Sequence, residues 1–307
     1  MERLSLAEPL PDALRGAVVA LGNFDGFHLG HQAVVGRAVA RAFHEGRPAI
    51  VATFDPHPVR HFRPDRPPFK LTSLDQRQRL FAGAGADAML VLGFDGELAA
   101  TSADRFVAEI LAGRLGAAAV VTGEDFTFGK GRGGSAESLA ALGRQHGIAA
   151  EAVHAVMLEQ QPISSSRIRQ ALVDGDPGTA THLLSRPFAL EGVVQPGDQR
   201  GRVLGYPTAN TLLGDYQRPA YGIYAVRVRL ADGSEHAGVA NLGIRPSFEP
   251  PVELLETFLF DFSGDLYGQR IEVALHHFLR PEARFTDMES LMAQMKRDER
   301  QARALLG

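Results

Sequence analysis

Cysteine is absent from the 307 residues of this chain. Without a thiol there is no disulfide framework, no thiolate metal site and no cysteine nucleophile. Long apolar runs are absent too, and none approaches the roughly 20 residues needed to span a bilayer. Met1 to Arg15 carries Glu2, Glu8, Asp12 and two prolines and lacks an apolar stretch, so it does not read as a signal peptide. There is no run of lysine and arginine, and the net charge is −4. That balance argues against nucleic acid or an acidic membrane surface as the main partner, while leaving room for a local cationic pocket. No internal repeat and no low-complexity tract is visible. A cytoplasmic protein with small-molecule substrates is the expectation that remains, with homo-oligomerisation left open. The length suggests about two domains as a starting estimate.

From Ala17 to about residue 155, short apolar runs alternate with helical spacing. The runs are Ala17–Leu21, Ile50–Phe54, Ala88–Leu92, Ala118–Val121 and Ala149–Val153. Between them lie helix candidates over Gly30–His44, Asp75–Ala84, Ala103–Ala112 and Glu137–His146, with Ser102 as an N-cap for the third. Such alternation predicts a parallel sheet covered by helices on both faces, with ligands outside the carboxyl ends of the strands. A helix opens near Ser164 and a second near Pro177, and Leu184–Pro187 reads as a domain boundary. Beyond it the runs Phe188–Val194, Ile223–Leu230, Ala237–Leu242, Leu254–Phe262 and Ile271–Phe278 predict a small antiparallel barrel or sandwich. Asp287–Leu306 closes the chain as a helix, with Leu291, Met292, Met295, Ala302 and Leu305 on one buried face.

The stretch Ala17–His31 joins a buried strand to a helix start through Gly22 and Gly26, which let backbone approach a ligand. Helix N-termini favour anions, phosphate above all. His28 and His31, three apart, fall on one face there and suit hydrogen bonding to charge that develops in phosphoryl or nucleotidyl transfer. A metal-ligand pair or two helix-capping polar residues fit the same spacing, although no cysteine or third histidine lies nearby to complete a zinc site. A second anion signal is Ile163–Arg169, where Ser164, Ser165 and Ser166 open a helix and Arg169 follows one turn on. Taken alone, those serines read equally as N-caps.

In the second half, Gln195–Asn210 is too polar and glycine-rich for a plain strand, and it lacks the order of a P-loop. Gly201 and Gly205 let backbone N–H groups reach phosphates, and Arg202 adds charge. Thr208 and Asn210 present hard oxygens two residues apart, on one side of an extended segment, which suits Mg²⁺; a turn fixed by Pro207 fits as well. Glu256 stands in an apolar strand, where an acid is costly unless used or paired. It is a candidate general base toward an alcohol attacking a γ-phosphate, with Glu253 and Asp261 as rivals. His276 and His277 read as structural.

The string G-N-F-D-G-F-H-L-G-H resembles the H-x-G-H signature of the nucleotidyltransferase superfamily, and in it the bacterial bifunctional riboflavin kinase/FAD synthetases. Ile163–Arg169 is similar to that superfamily's I-S-S-T-x-x-R motif, with Ser166 in place of the usual threonine. Thr53–Pro58 and Gly123–Gly129 are similar to the family's T-F-[DE]-P-H-P and G-x-[DN]-F-x-F-G strings. G-R-V-L-G-Y-P-T-A-N resembles the riboflavin kinase signature, and Asn241–Phe248 resembles its N-[IL]-G-x-R-P-[ST]-F loop. Phe258 departs from the family, which often has histidine two residues after the glutamate.

The resemblance covers nearly the whole chain. It implies a Rossmann-like parallel-sheet FMN adenylyltransferase domain over 1–184 and an antiparallel β-barrel riboflavin kinase domain with a terminal helix over 185–307. It implies ATP, riboflavin, FMN and FAD as substrates and products, and Mg²⁺ at Thr208 and Asn210. Catalysis would fall to His28, His31, Arg169 and Glu256. ATP would be bound by Gly22, Asn23, Phe24, Asp25, Gly30, Ser164, Ser165, Gly201, Arg202 and Gly205, and flavin by Asp125, Phe128, Phe62 and Phe106. The competing classes are a single-activity nucleotidyltransferase and a non-catalytic flavin or nucleotide sensor. Thr208, Asn210 and Glu256 count against the first, and intact His28, His31 and Arg169 against the second.

Overall fold

The computed structural model describes residues 1–196, 205–245 and 252–307. By its contacts the chain forms two compact units, Met1–Pro67 with Leu74–Ser164, and Pro68–Ser73 with Ser165–Gly307.

The first unit is built on six parallel strands: β1 (Glu2–Ser5), β2 (Val18–Leu21), β3 (Ala49–Asp55), β4 (Ala88–Gly93), β5 (Ala119–Gly123) and β8 (Ala149–Val153). Two small hairpins, β6–β7 (Thr127–Phe128, Gly134–Ser135) and β9–β10 (Met157–Leu158, Gln161–Pro162), lie outside that sheet. The strand order is β1-β4-β3-β2-β5-β8. Five of these strands fall where the apolar runs predict them. The sixth, β1, has a single neighbour and one buried side chain, so it carries no apolar run to read.

Strand β2 is buried along its length because helices cover both faces of the sheet. Alternation divides its side chains between two cores. Val19 and Leu21 pack with Ile50, Leu90, Val120, Phe106 and Leu111. Val18 and Ala20 pack with Val35 and Ala38 of α1 (Leu29–Glu45) and Phe81 of the helix Leu74–Gly83. From β2 the chain winds outward through β3 and β4 on one side, then crosses to β5 and β8 on the other. The winding therefore reverses beside β2, and in such sheets the ligand crevice opens at that point, off the carboxyl ends of the strands.

The predicted helix Ala103–Ala112 begins as expected, with the Ser102 side chain accepting from the Arg105 N–H. It then widens into a π-helical stretch over Phe106–Arg114, a departure that composition does not signal.

In the second unit the helices Ser165–Val173 and Pro177–Leu184 precede an antiparallel sheet. Its strands are β11 (Phe188–Val193), β12 (Ala209–Leu212), β13 (Gly222–Arg229), β14 (Glu235–Arg245), β15 (Val252–Leu259) and β16 (Arg270–Arg280), in the order β11-β16-β13-β14-β15-β12. Just past β11, the Gln195 N–H donates to the Asn210 carbonyl on β12 at 2.8 Å, which brings the two outer strands together and nearly closes the barrel. Tyr224, Val226 and Val228 point into the barrel, as their alternation predicts. Ala225 faces the terminal helix Met288–Leu306 and packs with Ala302, Leu306 and Phe260.

On that helix the buried stripe is Asp298, Ala302 and Leu306, spaced by four. Leu305, expected in the stripe, is 45% exposed. The carboxylate of Asp298 sits in the stripe because Arg280, at the end of β16, donates to it from Nε at 3.0 Å and from Nη2 at 2.7 Å, and Gln294 adds a donor at 2.7 Å.

Pro68–Ser73 comes from the N-terminal half of the sequence yet packs in the barrel unit. The Lys70 N–H donates to the Asp215 carbonyl at 2.9 Å, the Gln217 N–H donates to the Lys70 carbonyl at 2.7 Å, and the Ser73 hydroxyl donates to Glu191 at 2.7 Å.

Removing one partner of a buried, hydrogen-bonded ion pair leaves the other charge uncompensated. Asp298→Ala is therefore expected to lower stability by about 3–5 kcal/mol, read as a shift in the denaturant midpoint.

Candidate active sites

Where β2 ends, the Gly22 N–H still bonds the Ala52 carbonyl of β3 at 3.2 Å. The chain then bends through three left-handed residues, Phe24 (φ 48°), Gly26 (φ 89°) and Phe27 (φ 44°). For phenylalanine such a backbone costs about 1–2 kcal/mol, and burial of both rings against Phe81 offsets it, with centroids at 5.9 and 5.1 Å. Gly22 needs to be glycine for a different reason than a bend. A Cβ there would stand 3.0 Å from the Phe24 ring. The Phe24 side chain is thus a core anchor, Asp25 is buried and Asn23 is exposed.

His28 is the N-cap of α1, and its Nδ1 accepts from the His31 N–H at 3.3 Å. A neutral ring that accepts at Nδ1 carries its hydrogen on Nε2. The His31 ring stacks on it, with centroids 3.5 Å apart and planes at 20°, and the edge of Phe24 meets His31 at 5.4 Å. Both imidazoles therefore lie on one face of the helix start. Gly30 between them leaves space for the first ring, since a Cβ would stand 3.1 Å from the His28 Cε1. The same Cβ would stand 3.6 Å from the Ile163 carbonyl, so the approach to Ser164 runs beside the histidines. Among the described residues no group of three His, Cys, Asp or Glu side chains is placed to hold a metal ion.

Arg77 was not singled out from the sequence, and it holds this loop. Its side chain is 4% exposed. Nη1 donates to the Thr53 hydroxyl at 2.9 Å and to the Phe54 and Asn23 carbonyls at 3.3 and 3.4 Å. Thr53 in turn donates to the Asn23 carbonyl at 2.7 Å. Burial pulls the guanidinium pKa down, while the charges of Asp25 and Asp55 oppose that shift. The available signal was spacing: Arg77 stands four residues before the buried Phe81 and so shares its helix face.

The serine motif spans the two units, with Ser164 in the first and Ser165 opening the helix of the second. Arg169, within the second unit, donates from Nε to the Phe69 carbonyl at 2.8 Å and lies over the Phe69 ring at 5.2 Å. Among the flavin candidates, Phe106 and Phe128 are buried against each other at 5.5 Å, whereas Asp125 is exposed. Phe62 is 65% exposed and belongs to a separate aromatic group with His61 and Phe94. Phe126, stacked on Phe128 at 5.8 Å and only half-buried, is a ring the sequence reading passed over.

In the barrel, cross-strand register decides which side chains meet. Glu256 on β15 is the partner of Asn210 on β12 and of Asn241 on β14. Partners across an antiparallel ladder share a face, so an amide flanks the half-buried carboxylate on each side. The amide oxygens of Asn210 and Asn241 are both buried without a hydrogen-bond partner among the described residues.

The two rival acids are engaged. Glu253 accepts from Arg218 at 2.6 and 2.8 Å and from the Tyr221 hydroxyl, and Arg218 holds its carboxyl below the usual range. Asp261 accepts from Arg303 at 2.7 and 3.1 Å, which likewise lowers its pKa. Phe258 meets Tyr206 at 4.9 Å and packs under the terminal helix. Thr208 is half-buried and Gly205 exposed, while Gly201, Arg202 and Pro246–Phe248 lie outside the described residues.

A family model described as FAD synthetase matches residues 10–167, and one described as riboflavin kinase matches residues 184–306. The chain is 40% identical over 292 residues to a bifunctional riboflavin kinase/FMN adenylyltransferase of Pseudomonas fluorescens, covering 95% of this chain and 93% of the relative. It belongs to the family of bifunctional riboflavin kinase/FMN adenylyltransferases. Relatives of the same description in Escherichia coli K12 and Bacillus subtilis are 37% and 36% identical over 292 residues, covering 93% and 91% of their lengths. A crystal structure described as a macrolide-efflux protein from Streptococcus pneumoniae matches 99% of both chains, at a TM-score of 0.88 and 30% identity. No helix among the described residues here is long and apolar enough to cross a membrane.

Arg77→Met keeps the length of the side chain and removes its donors, leaving the Thr53 hydroxyl and the Phe54 and Asn23 carbonyls short of one and removing the positive charge beside Asp25 and Asp55. A loss of about 3 kcal/mol in unfolding free energy is expected, measured by urea denaturation.

Proposed function

We propose that this family member makes FMN and then FAD in series, with the kinase step in residues 185–307 and the adenylyl transfer in residues 1–184. The observation that carries the kinase assignment is the register of Asn210, Glu256 and Asn241 across three strands. Glu256 takes the proton of the riboflavin 5′-hydroxyl as its oxygen attacks the γ-phosphorus of ATP. The new O–P bond forms, the bond to the bridging oxygen breaks, and ADP leaves. Glu253 and Asp261 are each held by an arginine that stabilises the charged carboxylate, which weakens either one as a base. The buried, unpartnered Asn210 oxygen fits a hard cation, and Thr208 and Asn210 would hold Mg²⁺. When bound, such an ion neutralises phosphate charge.

In the first unit the FMN phosphate is already a nucleophile, so no covalent enzyme intermediate is needed. It attacks the α-phosphorus of a second ATP and pyrophosphate leaves. The cap geometry of His28 supports this reading: Nδ1 accepts from the His31 N–H, so the hydrogen of the neutral ring sits on Nε2, the atom that would donate to developing phosphoryl charge. His31 acts beside it. Gly22, Asn23, Phe24, Asp25 and Gly30 line the nucleotide through their backbone, and Ser164, Ser165 and Arg169 hold the triphosphate. Gly201, Arg202 and Gly205 serve the kinase ATP. Among the flavin candidates, the exposed Asp125 and Phe62 are the ones we assign to direct contact, since Phe106 and Phe128 are buried in the core. Both steps consume ATP, so we assign the enzyme to the cytoplasm.

Chromatography after mixing the protein with riboflavin, ATP and Mg²⁺ should show FMN and then FAD. His28→Ala is expected to slow FAD formation from supplied FMN by about 100- to 1,000-fold while FMN formation persists. Glu256→Gln should do the reverse, slowing FMN formation by at least about 100-fold. Loss of both activities in either folded variant would overturn the two-site assignment.

A further inference from the structure

The kinase reading uses Glu256 and the amide on one side of it, and leaves the amide on the other side without a task. Asn241 is fixed by β14 as the register partner of Glu256, on the same face. Its amide oxygen is buried and meets no hydrogen-bond donor among the described residues. Leaving such an acceptor unmet is costly, and a bound ligand with a donor removes that cost. Asn210 and Asn241 stand on opposite sides of Glu256, two strand spacings or about 10 Å apart. That separation favours a different ligand for each.

Two further features describe what Asn241 would meet. Gly243, two residues on and on the same face, has no side chain, and the Glu282 carboxylate occupies the space a Cβ would fill. The surface next to Asn241 therefore offers acceptors: an amide oxygen and a carboxylate. An amide oxygen and a carboxylate suit a chain of hydroxyls better than a phosphate, whose oxygens they would repel. Glu256 must touch the hydroxyl that reacts, and the next strand position is about 5 Å away, which is the reach from one hydroxyl to its neighbour along a polyol.

We infer that Asn241 is a substrate-contacting residue of the kinase site, accepting a hydrogen bond from the secondary hydroxyl next to the one that is phosphorylated. The inference rests on the kinase reading above. It makes Asn241 a determinant of polyol specificity, separate from the nucleotide and cation side of the site.

The test compares riboflavin with 4′-deoxyriboflavin, which lacks that neighbouring hydroxyl, in the full-length parent and in Asn241→Ala. The readout is the ratio of kcat/KM for the two flavins, which is independent of the fraction of enzyme that is folded. The parent is expected to prefer riboflavin by about tenfold to 100-fold. In Asn241→Ala the preference should collapse to within about twofold, with the KM for ATP and the Mg²⁺ dependence unchanged. A preference that survives the substitution would overturn the inference, as would a parent that does not discriminate. A variant altered in ATP or Mg²⁺ dependence with its flavin preference intact would assign Asn241 to the cation side and overturn it too. A parent that makes no FMN would overturn the kinase reading itself, an outcome distinct from the others.

Discussion

A polar group inside an apolar frame has to be met, by the protein or by what the protein binds. That constraint shapes both sites. In the first unit the protein answers it. The carbonyl of Asn23 and the hydroxyl of Thr53 lie at the ends of two buried parallel strands, and the Arg77 guanidinium satisfies both. His28 answers it again by capping α1 with its own Nδ1. In the barrel the answer is withheld at Asn210 and Asn241, whose oxygens stay unmet on either side of Glu256. Two amide oxygens that meet no donor among the described residues, one on either side of a carboxylate, fit a ligand-binding face.

Much of this was legible before the structure, for identifiable reasons. Strands β2 to β5 announce themselves because burial on both faces demands near-continuous apolar runs, and β13 because one face of a barrel wall gives clean alternation. Strand β1 is silent because an edge strand buries little. Strand β12 is silent because its middle, Asn210 and Thr211, is polar for the sake of the site and the barrel interior. Leu305 and Leu306 are adjacent apolar residues, and only the position of the buried Asp298 tells which one faces inward. A stripe that admits an ion pair is invisible to a hydrophobic pattern.

The site residues divide in the same way. His28, His31 and Gly30 stand next to each other in sequence, so the motif carries their geometry, and the structure adds that the glycine leaves space for the imidazole. Arg77 and Asn241 stand 54 and 15 residues from the groups they serve, Asn23 and Glu256, along the chain and beside them only in the fold. Local pattern places Arg77 on a buried helix face and Asn241 in a motif, but only the fold shows which groups they meet. Glu256 was named as the candidate base with Glu253 and Asp261 as rivals, and what the structure adds is the arginine that each rival has found, a tertiary fact.

Continuity along the chain and continuity in contacts are also different things here. Arg169 belongs to a phosphate-binding motif by sequence, and its guanidinium is held by the carbonyl and the ring of Phe69, a residue some 100 positions earlier. The segment that supplies Phe69 is tied to the barrel unit by backbone pairing at Lys70 and by Ser73 on Glu191. The guanidinium is therefore oriented by a strap whose own position depends on the barrel. In the site proposed above, the anion chemistry of the serine motif would therefore draw on residues that a linear reading assigns to another part of the protein.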